Sequence, residues 1–101
     1  MKYVLTIFVL SMLYVVHPIP NNNIWGNAKT DQERCQAEAD YMAKNRKFYH
    51  VGPCIGRFEG IGYGSKTPNV PTCTPKYKMT LTGDATAQTA SGTWVRVRSW
   101  R

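Results

Sequence analysis

Apolar and polar positions alternate most regularly near the C-terminus. Successive side chains of a strand point to opposite faces, so the run from Thr93 to Trp100 divides in two. Thr93, Val95, Val97 and Ser99 share one face, and Trp94, Arg96, Arg98 and Trp100 share the other. Upstream, Tyr77, Met79 and Leu81 alternate with Lys76, Lys78, Thr80 and Thr82, the pattern of a half-buried strand, and Ala85 to Ala90 forms a further short strand. Gly83-Asp84 and Ser91-Gly92 read as the turns between these segments. Nearer the N-terminus the period lengthens. Cys35, Ala39, Met42 and Ala43 recur at helical spacing and predict a helix from about Asp31 to about Lys44. Thr30, with Glu33 three residues on, predicts a capping box at its start. Asp31 and Glu33 at the beginning and Lys44, Arg46 and Lys47 at the end suit the helix dipole.

Glycine and proline dominate the stretch between helix and strands. Phe48 to Val51 is a short strand or a turn, broken by Gly52-Pro53. Arg57 to Tyr63 reads as a strand with Phe58, Gly60 and Gly62 on one face and Ile61 and Tyr63 on the other. Alternate glycines leave a strip bare of side chains, which predicts a close approach there by the helix backbone. Ser65 to Pro75 holds Pro68, Pro71 and Pro75 and is therefore a loop. The expected architecture is α+β: one N-terminal helix packed on a small antiparallel sheet of three or four strands.

Ahead of the helix, Lys2 precedes a mostly apolar run from Tyr3 to Val16, shorter than the ~20 residues that span a bilayer. That is the form of a secretory signal, and Gly26-Asn27-Ala28 offers the small residues a cleavage site wants. The chain thus divides into residues 1–28, a signal peptide or an uncleaved N-terminal anchor, and an exported domain at 29–101, in the periplasm, the cell envelope or outside. A domain of that size buries a modest core and gains from a covalent staple. There are three cysteines, so an oxidising compartment implies one disulfide and a leftover thiol, buried or linking two chains. Cys54–Cys73 is the first pairing, clamping the ends of the glycine strand and its proline loop, and Cys35–Cys54 is the alternative.

Three segments, His50-x-Gly52, Phe58-Glu59-Gly60-Ile61-Gly62 and Gly92-x-Trp94 through to Arg101, resemble a group of short exported bacterial proteins of unknown function. The resemblance implies export and a small domain, and no mechanism.

The formal net charge of +7 favours acidic partners. For an exported chain these are envelope polymers or anionic surfaces rather than nucleic acid. The tryptophan–arginine face of the last strand is the candidate contact: Trp94 and Trp100 to stack, Arg96 and Arg98 to pair with carboxylate or phosphate. The competing arrangement folds both indoles over the sheet edge to complete a small core, with the arginines packed against them. Other chemistries fit less well. Gly60 to Gly64 is followed by a broken loop rather than the helix a phosphate cradle needs. Cys35, His50, Cys54 and Cys73 lack a Cys-x2-Cys knuckle, so no metal is expected, and no cofactor is implied. A thiol-dependent enzyme using His50 and a cysteine is a minor alternative, and assembly through the odd cysteine another. Glu59, between Arg57 and Lys66, is expected to be a salt-bridge partner. The sequence therefore reads as a binding domain rather than an enzyme.

Overall fold

The computed structural model describes residues 24–101. The apolar run at residues 3–16, read as a signal peptide or an anchor, lies outside them. Helix α1 spans Asp31–Asn45. The Thr30 hydroxyl accepts from the Glu33 amide at 3.1 Å, and the Glu33 carboxylate accepts from the amides of Thr30 and Lys29 at 3.3 and 2.8 Å. The helix closes at Arg46, which adopts a left-handed conformation with φ 53°, while the Lys47 amide donates to the Met42 carbonyl.

Three strands follow: β1 (Phe58–Gly64), β2 (Leu81–Gln88) and β3 (Trp94–Trp100). They form one antiparallel sheet in the order β1-β3-β2, so the most regularly alternating segment of the chain is its centre. The architecture is the expected α+β arrangement with three strands.

The details of β2 differ from expectation. Tyr77 to Met79 lie outside any strand, and Gly83-Asp84 sits inside β2, where a bulge between Leu81 and Gly83 shifts the register. Polar alternation at Lys76–Thr82 mimicked a strand, but that segment runs past the end of the ladder. Ahead of β2, from Lys76 to Thr80, only Thr80 is paired, exchanging backbone hydrogen bonds with Arg101. Phe48 to Val51 forms no strand, whereas Ser91-Gly92 does form the β2–β3 turn, with Gly92 at φ +100°.

Helix α1 lies over β2 and β3. Its buried stripe of Cys35, Ala39, Met42 and Ala43 meets Val95, Val97 and Ala85 from the sheet, with Ile55 closing the core beside β1. Helix and sheet approach closely at Gly83, where a Cβ would stand 2.7 Å from the Cys35 sulfur and 2.9 Å from the Asp31 carbonyl oxygen.

The glycine strip of β1 does not face the helix, and that expectation is corrected. Gly60 and Gly62 pair with Arg98 and Arg96, so they share the outer face of the sheet. There the connection from β1 to β2 crosses the sheet, and its carbonyls at Cys73 and Pro71 rest directly on the two glycines. The molecule thus has a third, loop-built layer, and Gly60 and Gly62 make room for it.

Candidate functional site

The tryptophan–arginine face exists as predicted, but this third layer draws on its polar groups. Arg96 donates to both oxygens of Asp84, at 2.8 and 2.6 Å, and to the Val70 carbonyl at 3.2 Å. The guanidinium holds the Asp84 carboxyl below its usual range. Arg98 donates to the Thr72 hydroxyl at 2.9 Å and lies 5.1 Å over the Trp100 ring. Trp100 is buried and packs edge-on against Phe58. Trp94, at the other end of β3, is half-buried. Arg96 and Arg98 thus tie the crossing loop to the sheet, and the packed arrangement describes Trp100 better than the open ribbon does.

The three thiols are unpaired, so neither Cys54–Cys73 nor Cys35–Cys54 is formed. The sheet separates the first pair. Cys73 rides on the outer face with its carbonyl over Gly60, whereas Cys54 lies close enough to Glu59 and Glu38, on the helix side, to feel their charge. Cys35 is fully buried, with its sulfur 3.5 Å from the Ser99 hydroxyl, and burial pushes its thiol up to about 11. Burial, followed by the neighbouring carboxylates, also raises the Cys54 thiol. Such a thiol is mostly protonated at neutral pH, which works against a nucleophilic role beside His50.

The most unusual chemistry in the molecule is a pair of glutamates. Glu38 on α1 and Glu59 on β1 are both buried, with their carboxyl groups within hydrogen-bonding reach of each other. Each uses one oxygen on a fixed donor. The Trp25 indole N–H donates to Glu38 Oε2 at 2.7 Å, and the Ile55 amide donates to Glu59 Oε1 at 3.0 Å. The other two oxygens, Glu38 Oε1 and Glu59 Oε2, are buried without a further partner. Burial and the adjacent Glu59 push the Glu38 carboxyl up to about 8. His50 stands at the rim, with Nδ1 3.6 Å from Glu59 Oε2, more than half exposed. A cavity of about 340 Å³, lined by His50, Gly52, Cys54, Arg57, Phe58 and Glu59, opens beside the pair.

Glu59 therefore does not pair with Arg57 or Lys66; it turns inward. Glu38 carries a signal that the apolar stripe obscured. It lies three residues after Cys35 and four before Met42, squarely on the buried face of the helix. No grouping of metal-ligating side chains able to hold an ion occurs among the described residues.

Trp25 belongs to this site as well. Its ring packs against the core under the Arg34 guanidinium at 4.5 Å. A cut before Lys29 would remove it from the folded unit. No protein-family model, curated protein or solved structure matches the chain.

Proposed function

We propose that the protein is a small, exported, basic binding domain whose partner is an acidic polymer or surface. The observation that carries this reading is where the carboxylates are spent. All six lie within the described residues. Asp31 and Asp84 are paired with Arg101 and Arg96, Glu33 caps the helix, and Glu38 and Glu59 are buried together. Asp40 and the capping Glu33 remain exposed, Asp40 accepting from Gln36. Among the described residues Lys44, Lys47, Arg57, Lys66, Lys76 and Lys78 consequently have no carboxylate partner. The exterior therefore carries more unpaired cations than carboxylates, a field that concentrates polyanions at the surface.

The contact moves from the β3 face to the exposed lysines. The segment Lys76-Tyr77-Lys78 combines two cations with the most exposed large hydrophobic side chain described, Tyr77, at 78%. An aromatic between two ammonium groups suits a chain that carries both rings and charges.

Titration of the full chain with dextran sulfate, against neutral dextran, tests the reading. Affinity for the sulfated polymer should fall linearly on logarithmic axes as salt rises, because each neutralised anionic group releases counterions. Replacing Lys76 and Lys78 by Glu should weaken binding by roughly tenfold with the fold intact. Arg96→Ala should instead lower stability and leave affinity nearly unchanged. Absence of binding at low salt, or binding indifferent to salt, would overturn the proposal. A second reading, covalent assembly, rests on the two exposed thiols Cys54 and Cys73. Intact mass before and after reduction reads it directly.

A further inference from the structure

Four carboxyl oxygens meet between α1 and β1, and two of them are already committed. Glu38 Oε2 holds the Trp25 indole, and Glu59 Oε1 holds the Ile55 amide. The two that remain, Glu38 Oε1 and Glu59 Oε2, are both shielded from solvent. If both groups were ionised, two negative charges would face each other in a low-dielectric interior, each with an unsatisfied acceptor. A single proton removes both faults: it cancels one charge, and it turns one oxygen into the donor that the other lacks.

We propose that Glu38 and Glu59 hold one proton between them, and that this acid–carboxylate bond is a pH-operated latch closing the Trp25 turn and the Phe48–Gly56 segment over β1. The surroundings offer the proton one other carrier, His50, 3.6 Å from Glu59 Oε2 and more than half exposed. From α1 the neighbouring titratable groups are Cys35 and, farther off, Asp31; from the segment before β1 they are His50 and Cys54. None of these brings a permanent positive charge to the pair. Arg34 is spent on the Trp25 ring and the Ala28 carbonyl, and Arg57 lines the cavity mouth. Each carboxyl has one oxygen left for the other, Glu38 Oε1 and Glu59 Oε2, and the shared proton lies between them.

The geometry says what the latch fastens. Helix α1 covers β2 and β3 only, so the inner face of β1 is roofed by other parts. Ile55, Val51, Phe48 and Trp25 form that roof. Phe48 stacks on Tyr63 with ring centroids 4.6 Å apart, and a Cβ on Gly52 would stand 3.0 Å from Glu38 Oε2. Two parts of the roof hang on the pair by hydrogen bonds, Trp25 through Glu38 and Ile55 through Glu59. Loss of the proton sets the two carboxylates against each other, so each keeps its own N–H donor while α1 with Trp25 and β1 with Ile55 are driven apart. The cavity beside Glu59, with His50 at its rim, is the path by which the proton leaves.

The test is NMR on the full chain, following the carboxyl carbons of Glu38 and Glu59 and the nitrogens of the Trp25 indole and the Ile55 amide against pH. One shared transition above the ordinary carboxylate range should move all four signals. The latch is overturned if the two carboxyls titrate independently in the ordinary carboxylate range, or if none of the four signals responds above it. Glu38→Gln supplies a permanent N–H donor in place of the shared proton. In that variant the Trp25 and Ile55 signals should keep their low-pH positions into the alkaline range. If they still move with the wild-type midpoint, the shared proton is not what holds them. None of these readouts depends on polyanion binding.

Discussion

Gly60, Gly62 and Gly83 are all bare for the same reason, a backbone or side-chain atom occupying the place of a side chain, yet they serve different layers. At Gly83 the obstacle is the helix; at Gly60 and Gly62 it is the carbonyl of Cys73 or Pro71 in the crossing loop. Gly60→Ala or Gly62→Ala should therefore detach or displace the loop before it disturbs the helix. The expected cost is about 1–3 kcal/mol from overpacking. Denaturant melts would record it, and exposure of the Trp100 ring that the outer face shelters should accompany it. A variant as stable as wild type would mean the loop is free to lift. The alternation of glycines was legible in the sequence, and so was the close approach it implies. Which element makes the approach was not, because the strand pattern gives the face and says nothing of the partner on it. Glu38 shows the converse. Its position on the stripe was legible, but its neutral state depends on Glu59, twenty-one residues away in the chain and adjacent only after folding.

The two outer strands of the sheet are treated differently. Asp84 and Thr86 on β2 turn main-chain groups away from β3, where no strand follows. Helix side chains take the vacant places: Gln32 donates to the Asp84 carbonyl at 3.0 Å and accepts from its amide at 2.8 Å, and Gln36 donates to the Thr86 carbonyl at 3.0 Å. Gln32 thus imitates the paired hydrogen bonds of a neighbouring strand and protects an edge that would otherwise recruit another chain. Replacing Gln32 and Gln36 together by Ala should cost about 0.5–1.5 kcal/mol per hydrogen bond lost. It should also promote self-association, visible by sedimentation as a concentration-dependent increase in mass. A double variant that is destabilised yet strictly monomeric would show that the edge is guarded by something else. Element by element, α1 with its Thr30–Glu33 box and β3 with its alternating faces were plain in the sequence, since both rest on local periodicity and local hydrogen bonds. The β2 strand was misplaced toward Tyr77 because its true core, Gly83 to Ala87, is built from small residues chosen for closeness to the helix. Such residues carry little strand propensity of their own.

At the scale of the whole molecule, the distribution of carboxylates sets both the surface field and the dependence of stability on pH. Asp31 and Asp84 are held below their ordinary value of 3.8, chiefly by hydrogen bonds from Arg101 and Arg96. Their contribution is present above the unfolded value and is lost as pH falls through the depressed folded value. Glu38 has the opposite sign. Its folded value, about 8, lies above the ordinary 4.5. The folded state therefore binds a proton that the unfolded chain releases, and this contribution is complete below 4.5 and lost as pH rises to about 8. Together the two effects place the stability maximum on the mildly acid side of neutrality. Thermal melts of the full chain should give a Tm at about pH 5 that exceeds the Tm at about pH 9 by on the order of 10 °C. Glu38→Gln should flatten this alkaline decline, and Asp84→Asn should reduce only the acid one. Surface charge predicts a different signature, because repulsion among exposed lysines is screened by salt whereas a buried carboxyl pair is screened far less. An alkaline decline that persists at high salt therefore identifies the glutamates as its source. A Tm that stays level or rises from acid to alkaline pH would leave no raised carboxyl in the fold, and the proton between Glu38 and Glu59 would go with it.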